Sequence, residues 1–150
     1  MSGGAAPLSD AERAEAIEAL ARAATGAGPL PEGPDWRRVE RRTPACGDRV
    51  TLAVRVVDDR VEGLVWDHRG CTVSRAGSAG VAALALGRGV GATRELLARH
   101  VAAVAPEGVA DPALGELALL AGIGRFPLRA GCATLAARAL EEALTAGASA

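Results

Sequence analysis

The stretch V-T-L-A-V-R-V-V-D-D-R-V-E-G-L-V-W, residues 50–66, decides the fold of this chain. In its first half an apolar residue occupies every second position, and this period of two is typical of a strand with one buried face. The alternating positions are Val50, Leu52, Val54 and Val56. Asp58 and Asp59 supply a turn, and residues 61–66 run back as the second arm of a β-hairpin. Each arm has one face that other elements must cover.

The rest of the chain carries mostly helix signals. Ser9 and Glu12 form a capping box that predicts a helix over residues 9–24, and a Gly- and Pro-rich linker then leads to an edge strand at 36–42. Four more helices are predicted after the hairpin: one capped by Ser74 and ending near Leu86, one capped by Thr93 and ending before Pro106, a short one from Asp111 to Leu120, and a last one over residues 131–146. Strands followed by helices in one small domain predict an α+β fold, with helices packed on an antiparallel sheet.

The length and charge of the chain restrict its function. At 150 residues it is long enough for one well-buried domain, and we expect a loose tail at residues 1–8 and a single domain at 9–147. The net charge is −1, with acidic and basic residues interspersed, which argues against a nucleic-acid-binding face. The sequence has neither the apolar segment of a signal peptide nor an apolar run of membrane-spanning length, so we expect a cytoplasmic protein without a membrane partner.

Three cysteines lie at the edges of predicted elements. Cys46 lies in the T-P-A-C-G-D turn before the first long strand, Cys71 follows the hairpin, and Cys132 lies at the start of the last helix. In a reducing compartment an odd number of cysteines favours metal binding or catalysis over a disulfide framework. Cys71 and Cys132 are near predicted helix N-termini, where the helix dipole lowers the pKa of a thiol and favours the thiolate.

Asp48 supplies a fourth potential ligand beside the three cysteines. Zinc is bound by four Cys, His or carboxylate ligands in a tetrahedron, and a bend at Gly47 permits Cys46 and Asp48 to face the same ion. However, successive cysteines are 25 and 61 residues apart, which is not the spacing of a zinc finger. From the spacing alone, three unrelated small residues are as good an interpretation as a metal site.

Three blocks of sequence around the cysteines resemble a known family. They are T-P-A-C-G-D-R-V-T-L (43–52), R-G-C-T-V-S-R-A-G-S (69–78) and R-F-P-L-R-A-G-C-A-T-L-A-A-R-A-L-E (125–141). In this order they resemble the U-type iron–sulfur cluster assembly proteins, and the SufU branch more than the IscU branch. The resemblance runs from about residue 43 to residue 144, which is most of the chain.

The resemblance implies both a fold and a function. The implied fold is a three-stranded antiparallel sheet with helices against one face, and the implied metal ligands are Cys46, Asp48, Cys71 and Cys132. In the SufU branch the metal is zinc, and the protein accepts persulfide sulfur from a SufS-type cysteine desulfurase for downstream iron–sulfur assembly proteins. By its position Cys46 is the implied acceptor, and Arg129 matches a basic position that faces the desulfurase. The alternatives are a scaffold that binds a transient [2Fe–2S] cluster on the same residues, and a purely structural zinc.

The chain also departs from the family pattern at two positions. Gly131 stands where the IscU branch has a histidine and the SufU branch commonly a lysine; the long gap before Cys132 is a SufU feature. His68 stands where the family usually has a glycine, and we expect an exposed side chain there, with a spare metal ligand as the alternative. His100 is expected on a helix surface or partly packed. We expect Ser74 and Ser78 to serve helix capping and packing, and no serine–histidine–acid arrangement is evident.

Overall fold

The predicted hairpin is the centre of a three-stranded antiparallel sheet. In the computed structural model, which describes residues 8–44 and 46–148, the strands are β1 (Arg37–Arg42), β2 (Arg49–Val57) and β3 (Arg60–Arg69), in that order across the sheet. The turn between β2 and β3 has positive φ at both Asp58 and Asp59, a conformation that matches the twist of the flanking strands. The predicted fold class is therefore confirmed.

Four α-helices and two 3₁₀ segments complete the described part of the chain. The helices are α1 (Asp10–Ala23), α2 (Thr72–Ala85), α3 (Val90–Val104) and α4 (Pro127–Ala148), and the 3₁₀ segments are Pro112–Leu120 and Ile123–Arg125. Helix α2 packs on β3, and α4 packs on β1 and β2. Helix α1 packs on α2, and α3 packs mainly on α4. The core between them holds the apolar face of the hairpin, including Val50, Leu52, Val54 and Trp66.

The predicted capping box is present at the start of α1. The Ser9 hydroxyl accepts the Glu12 N–H at 3.1 Å, and the Glu12 carboxylate accepts the Ser9 N–H at 2.9 Å. Asp111 likewise caps the segment that begins at Pro112, where its carboxylate accepts the Ala113 N–H. That segment is 3₁₀ rather than α-helical, and it is interrupted at Gly115, where φ is 59°. The remainder of the predicted tail, residues 1–7, lies outside the described residues.

Three other helix starts were predicted wrongly. Helix α2 begins after Cys71, not Ser74, and α3 begins after Gly89, not Thr93, so both hydroxyl residues lie inside their helices. Helix α4 begins at Pro127 rather than near residue 131, because proline at the first helical position loses no hydrogen bond and already has a helical φ. Cys132 therefore lies in the second turn of α4.

Within the part of the chain that the structure describes, no helix combines the length and the apolarity needed to cross a membrane.

Candidate metal centre

The turn that carries Cys46 is the connection between β1 and β2. The Thr43 N–H donates to the Asp48 carbonyl and the Gly47 N–H donates to the Thr43 carbonyl, both at 2.9 Å. Gly47 has φ +73°, in the left-handed region that glycine enters without strain. This closed turn holds Cys46 and Asp48 at the same end of the sheet, where α2 begins and α4 passes.

Three of the four predicted ligands converge at this end. The Sγ atoms of Cys46 and Cys132 are 3.2 Å apart, and one ligand atom each of Cys46, Asp48 and Cys132 lie within 4.8 Å of one another. Cys71 is outside this compact group, but it adjoins it: its N–H donates to Asp48 Oδ2 at 3.2 Å. Cys46 is exposed, Cys71 is half-buried and Cys132 is buried, so the thiols differ in their access to a partner.

The Asp48 carboxylate fits into the group because Gly70, which lies against it, has no side chain. Gly70 has φ +148°, and a Cβ added there would collide with the Asp48 carboxylate. Burial alone would raise the pKa of Asp48. Hydrogen bonds from the Cys71 and Ser74 side chains and from the Cys71 N–H outweigh it and lower this pKa from 3.8 to about 2. A carboxylate that is buried but kept ionised is suited to bind a cation.

Cys132 differs from the expectation that a helix N-terminus lowers its pKa. Burial raises the pKa of this thiol, and its hydrogen bonds with Cys46 and Asp48 raise it further. Its position in the second turn of α4 also places it beyond the first turn, to which the dipole effect is confined. A thiol of this kind becomes a thiolate when a metal cation replaces the proton.

A hydrogen-bonded chain of three side chains ends at Asp48, and the sequence did not reveal it. The Ser74 hydroxyl donates to Asp48 Oδ2 at 2.8 Å, and His68 Nε2 lies 2.6 Å from Ser74 Oγ. His68 is half-buried rather than exposed, and burial is the main reason why its pKa is lowered. A signal was available in the hairpin register: His68 pairs with Val50, which places it two residues from Asp48 across the sheet.

The Thr43 hydroxyl is a second polar contact that sequence reasoning missed. Its Oγ1 lies 2.9 Å from Cys46 Sγ and accepts the Asp48 N–H at 3.1 Å. Because the hydroxyl accepts from the backbone, its own proton is free to point at the sulfur. Thr43 therefore fixes both the turn and the side chain of Cys46.

Arg129 lies beside the candidate centre, not in it. It is exposed in the first turn of α4 and lines a groove with Arg13 of α1 and Thr72 of α2. Its neighbours Phe126 and Leu128 are 52% and 61% exposed, so two large apolar side chains reach the surface beside this cation. Among the described residues, its guanidinium forms no hydrogen bond or ion pair, so this cation is available to a partner.

The family of this chain follows from its similarity to known proteins. A family model described as NifU-like N terminal domain matches residues 25–133. The chain belongs to this family. The match confirms the predicted relationship to the U-type assembly proteins, and it spans the turn of Cys46, the whole sheet and Cys132.

Named relatives come from both branches of the family. The chain is 36% identical over 116 residues to the "Iron-sulfur cluster assembly scaffold protein IscU" of Streptococcus pyogenes serotype M1, covering 75% of this chain and 71% of the relative. It is 29% identical over 105 residues to the "Zinc-dependent sulfurtransferase SufU" of Bacillus subtilis, covering 69% and 71%. The crystal structure of a candidate SUF-system scaffold protein from Fervidobacterium islandicum AW-1 has a TM-score of 0.75 at 20% identity, covering 87% and 94%, and supports the fold alone. Assignment to the SufU branch therefore stays a prediction.

The donor set of the centre fits zinc. Two thiols and a carboxylate are ligands that zinc accepts, at bond lengths of about 2.0–2.3 Å. The three side chains already converge within 4.8 Å, so small side-chain adjustments suffice to bring them to one ion. Cys71, the fourth predicted ligand, is the N-cap residue of α2 and lies beside Asp48.

Proposed function

We propose that this protein is a zinc-dependent sulfur acceptor in iron–sulfur cluster assembly, working in the cytoplasm with a SufS-type cysteine desulfurase. The observation that carries the proposal is the exposure of Cys46 within a group whose other thiol, Cys132, is buried. A partner can reach Cys46 while Asp48 and Cys132 stay inside the protein. The relative in Bacillus subtilis that is named a zinc-dependent sulfurtransferase supports the same activity here.

Cys46, Asp48, Cys71 and Cys132 would hold the zinc. When bound, zinc replaces thiol protons and keeps the cysteines as thiolates at neutral pH. Asp48 is the carboxylate among these ligands, and the hydrogen bonds from Ser74 and Cys71 keep it ionised for this role. A carboxylate in place of a fourth thiolate makes the site less soft and its ligands more exchangeable.

The transfer itself needs only a thiolate at Cys46. Cys46 Sγ attacks the outer sulfur of the desulfurase's cysteine persulfide, a new S–S bond forms, and the S–S bond of the donor breaks. The desulfurase cysteine leaves as a thiolate, and the outer sulfur keeps its proton, so charge and electrons balance without an oxidant. The Thr43 hydroxyl, 2.9 Å from Cys46 Sγ, orients the attacking sulfur. The persulfide on Cys46 then passes its sulfur to downstream iron–sulfur assembly proteins.

The groove beside the centre is the proposed contact with the desulfurase. Arg129 is an exposed cation at its rim, and the exposed Phe126 and Leu128 give apolar area of the kind that partner surfaces use. We expect Arg129→Ala to raise the desulfurase concentration needed for half-maximal stimulation. Arg55→Ala is the matched control, because Arg55 is exposed near the opposite end of the sheet.

The proposal is tested by mixing the zinc-loaded protein with its cognate cysteine desulfurase and cysteine, and measuring alanine release. The wild-type protein should accelerate release, while Cys46→Ser should leave the desulfurase at its unstimulated rate. No stimulation by zinc-loaded wild-type protein, or full stimulation by Cys46→Ser, would exclude Cys46 as the acceptor.

A second candidate is a scaffold that assembles a [2Fe–2S] cluster on the same residues. It is favoured by the relative of 36% identity that is named a scaffold. Anaerobic purification followed by metal analysis and a visible spectrum separates the two functions. Zinc without colour supports sulfur acceptance, whereas iron and sulfide with charge-transfer bands support the scaffold.

A further inference from the structure

His68 lies near the end of β3 and is half-buried, and the structure gives it a hydrogen-bonding partner. Its Nε2 faces Ser74 Oγ at 2.6 Å, and it is not among the group of ligand atoms that converge near Cys46. Its ring also meets Trp66 edge-on, with centroids 6.2 Å apart and planes at 81°, so the imidazole is held on a second side. An exposed histidine at a strand end would have neither contact.

The direction of the hydrogen bonds follows from the carboxylate. Ionised Asp48 can only accept, and its Oδ2 is 2.8 Å from the Ser74 hydroxyl, closer than the neutral Cys71 carbonyl at 3.1 Å, so the single hydroxyl proton of Ser74 points to Oδ2. Ser74 Oγ must then accept from His68, which requires a proton on His68 Nε2. The chain therefore runs from the His68 N–H, through the Ser74 hydroxyl, to Asp48.

Ser74 has a competing acceptor, and this gives His68 a role. The Ser74 hydroxyl also lies 3.1 Å from the Cys71 carbonyl, the local acceptor to which serine in a helix commonly turns. A donor at His68 occupies a lone pair of Ser74 Oγ and favours the rotamer whose proton faces Asp48. Without that donor, Ser74 divides its proton between the carboxylate and the carbonyl.

We infer that His68 is a positioning residue for Asp48: by donating to Ser74 it directs the serine proton onto the carboxylate that binds the metal. The inference rests on the metal site of the proposed function. Outer-shell partners of this kind fix the orientation of a ligand, and their removal typically costs about 10–100-fold in metal affinity. His68 acts through Ser74, so its effect belongs at the lower end of that range.

The test is zinc affinity, measured by competition with a chromophoric chelator. His68→Leu should bind zinc about 10-fold more weakly than wild type. His68→Gln should recover most of the affinity, because its amide N–H can take the place of Nε2–H. Glu62→Gln, an exposed residue near the opposite end of β3, is the control and should match wild type. Unchanged affinity in His68→Leu, or equal loss in the Leu and Gln variants, would overturn the inference.

A measurement on the wild-type protein keeps the inference testable if His68→Leu does not fold. Nitrogen chemical shifts of the imidazole should show His68 protonated at Nε2, whereas a proton on Nδ1 alone would overturn the inference. Failure of the proposed function can be distinguished from failure of the inference about His68. A wild-type protein that binds zinc but takes no sulfur on Cys46 removes the sulfur transfer and leaves the affinity test of His68 intact. A wild-type protein that binds no zinc overturns both.

Discussion

The two histidines of this chain lie in two regions that treat a polar side chain differently. At the site end, formed by the turn of Cys46 and the starts of α2 and α4, His68 is half-buried and belongs to a hydrogen-bonded chain that ends at Asp48. At the helical interface, where α3 packs on α4, His100 is fully buried. Its Nε2 donates to the Ala133 carbonyl at 3.0 Å, and its Nδ1 is the one buried side-chain N or O atom without a partner among the described residues.

The two regions differ in how completely their buried polar atoms are hydrogen-bonded. A buried acceptor without a partner costs about 1–3 kcal/mol, and the helical interface carries that cost at His100. The site end has its polar atoms connected, with Ser74, Cys71 and Thr43 all hydrogen-bonded to Asp48 or its backbone. We therefore expect substitutions at the site end to change zinc affinity and sulfur transfer, and substitutions at the helical interface to change the free energy of unfolding.

Asp48→Ala should produce the largest effect at the site end. Asp48 is a proposed metal ligand, and losing even an outer-shell partner costs about 10–100-fold in metal affinity, so the loss of zinc affinity here should be at least as large. The fold should persist, because Ser74 can turn to the Cys71 carbonyl, and the other groups that lose a hydrogen bond are the Cys71 N–H and the thiols of Cys71 and Cys132. Zinc content and circular dichroism measure the two effects, with exposed Asp67→Ala as control. Unchanged zinc occupancy would contradict Asp48 as a ligand.

His100→Ala should produce the largest effect at the helical interface. It leaves a cavity between α3 and α4, and large-to-small core changes cost about 2–5 kcal/mol in free energy of unfolding. Zinc affinity of the folded protein should stay near wild type, because the ring hydrogen-bonds the Ala133 backbone carbonyl and not the side chain of a proposed ligand. Denaturant unfolding and chelator competition check this pair of results. If zinc affinity fell as much as in Asp48→Ala, the separation of the two regions would fail.

Acid should destabilise the helical interface through the same residue. Burial lowers the pKa of His100 below its ordinary value of 6.5, although the bond to the Ala133 carbonyl partly opposes this. The unfolded chain therefore binds a proton first, so the stability contributed by neutral His100 is complete above about pH 6.5 and is lost as pH falls toward the lower, folded pKa. The free energy of unfolding of His100→Leu should depend less on pH below about pH 6.5 than that of the wild type. A pH dependence identical to wild type would contradict the assignment.

Gly131→Ala should have the smallest effect, and it should be stabilising. Gly131 is exposed in α4, and an added Cβ would meet only Thr43 Cγ2, at 3.6 Å. Replacing glycine by alanine inside a helix gains about 0.5–1 kcal/mol. Gly77→Ala is the contrasting variant, because its Cβ would lie 2.9 Å from the Ala133 carbonyl oxygen where α2 approaches α4, and it should destabilise. Thermal unfolding of both variants measures the two signs.

Features with a local cause could be predicted from the sequence. The hairpin follows from the alternation in residues 50–56 and from Asp58-Asp59, and the start of α1 follows from Ser9 and Glu12, because each signal lies within a few residues of its effect. The family followed from the three cysteine blocks. The convergence of Cys46, Asp48 and Cys132 was expected only through that resemblance, since their spacing alone was uninformative.

Features with a tertiary cause could not be predicted. Whether a lone histidine is exposed depends on what packs against it, and α4 covers His100 from a distance of 33 residues in sequence. Serine is a residue type that commonly caps helices, which is why Ser74 was predicted as the N-cap. In the structure Cys71 is the N-cap residue, and the Ser74 hydroxyl donates to Asp48, 26 residues away in sequence. Such partners become visible only when the strand register and the helix packing are known.

The central claim, that Cys46 accepts sulfur, is tested most directly by mass spectrometry of the protein after incubation with its cysteine desulfurase and cysteine. Zinc-loaded wild-type protein should gain the mass of one sulfur atom on the peptide that contains Cys46, and Cys46→Ser should gain none. A wild-type protein that stays unmodified while its desulfurase turns over, or one that carries the added sulfur on Cys71 or Cys132 instead, would contradict the account.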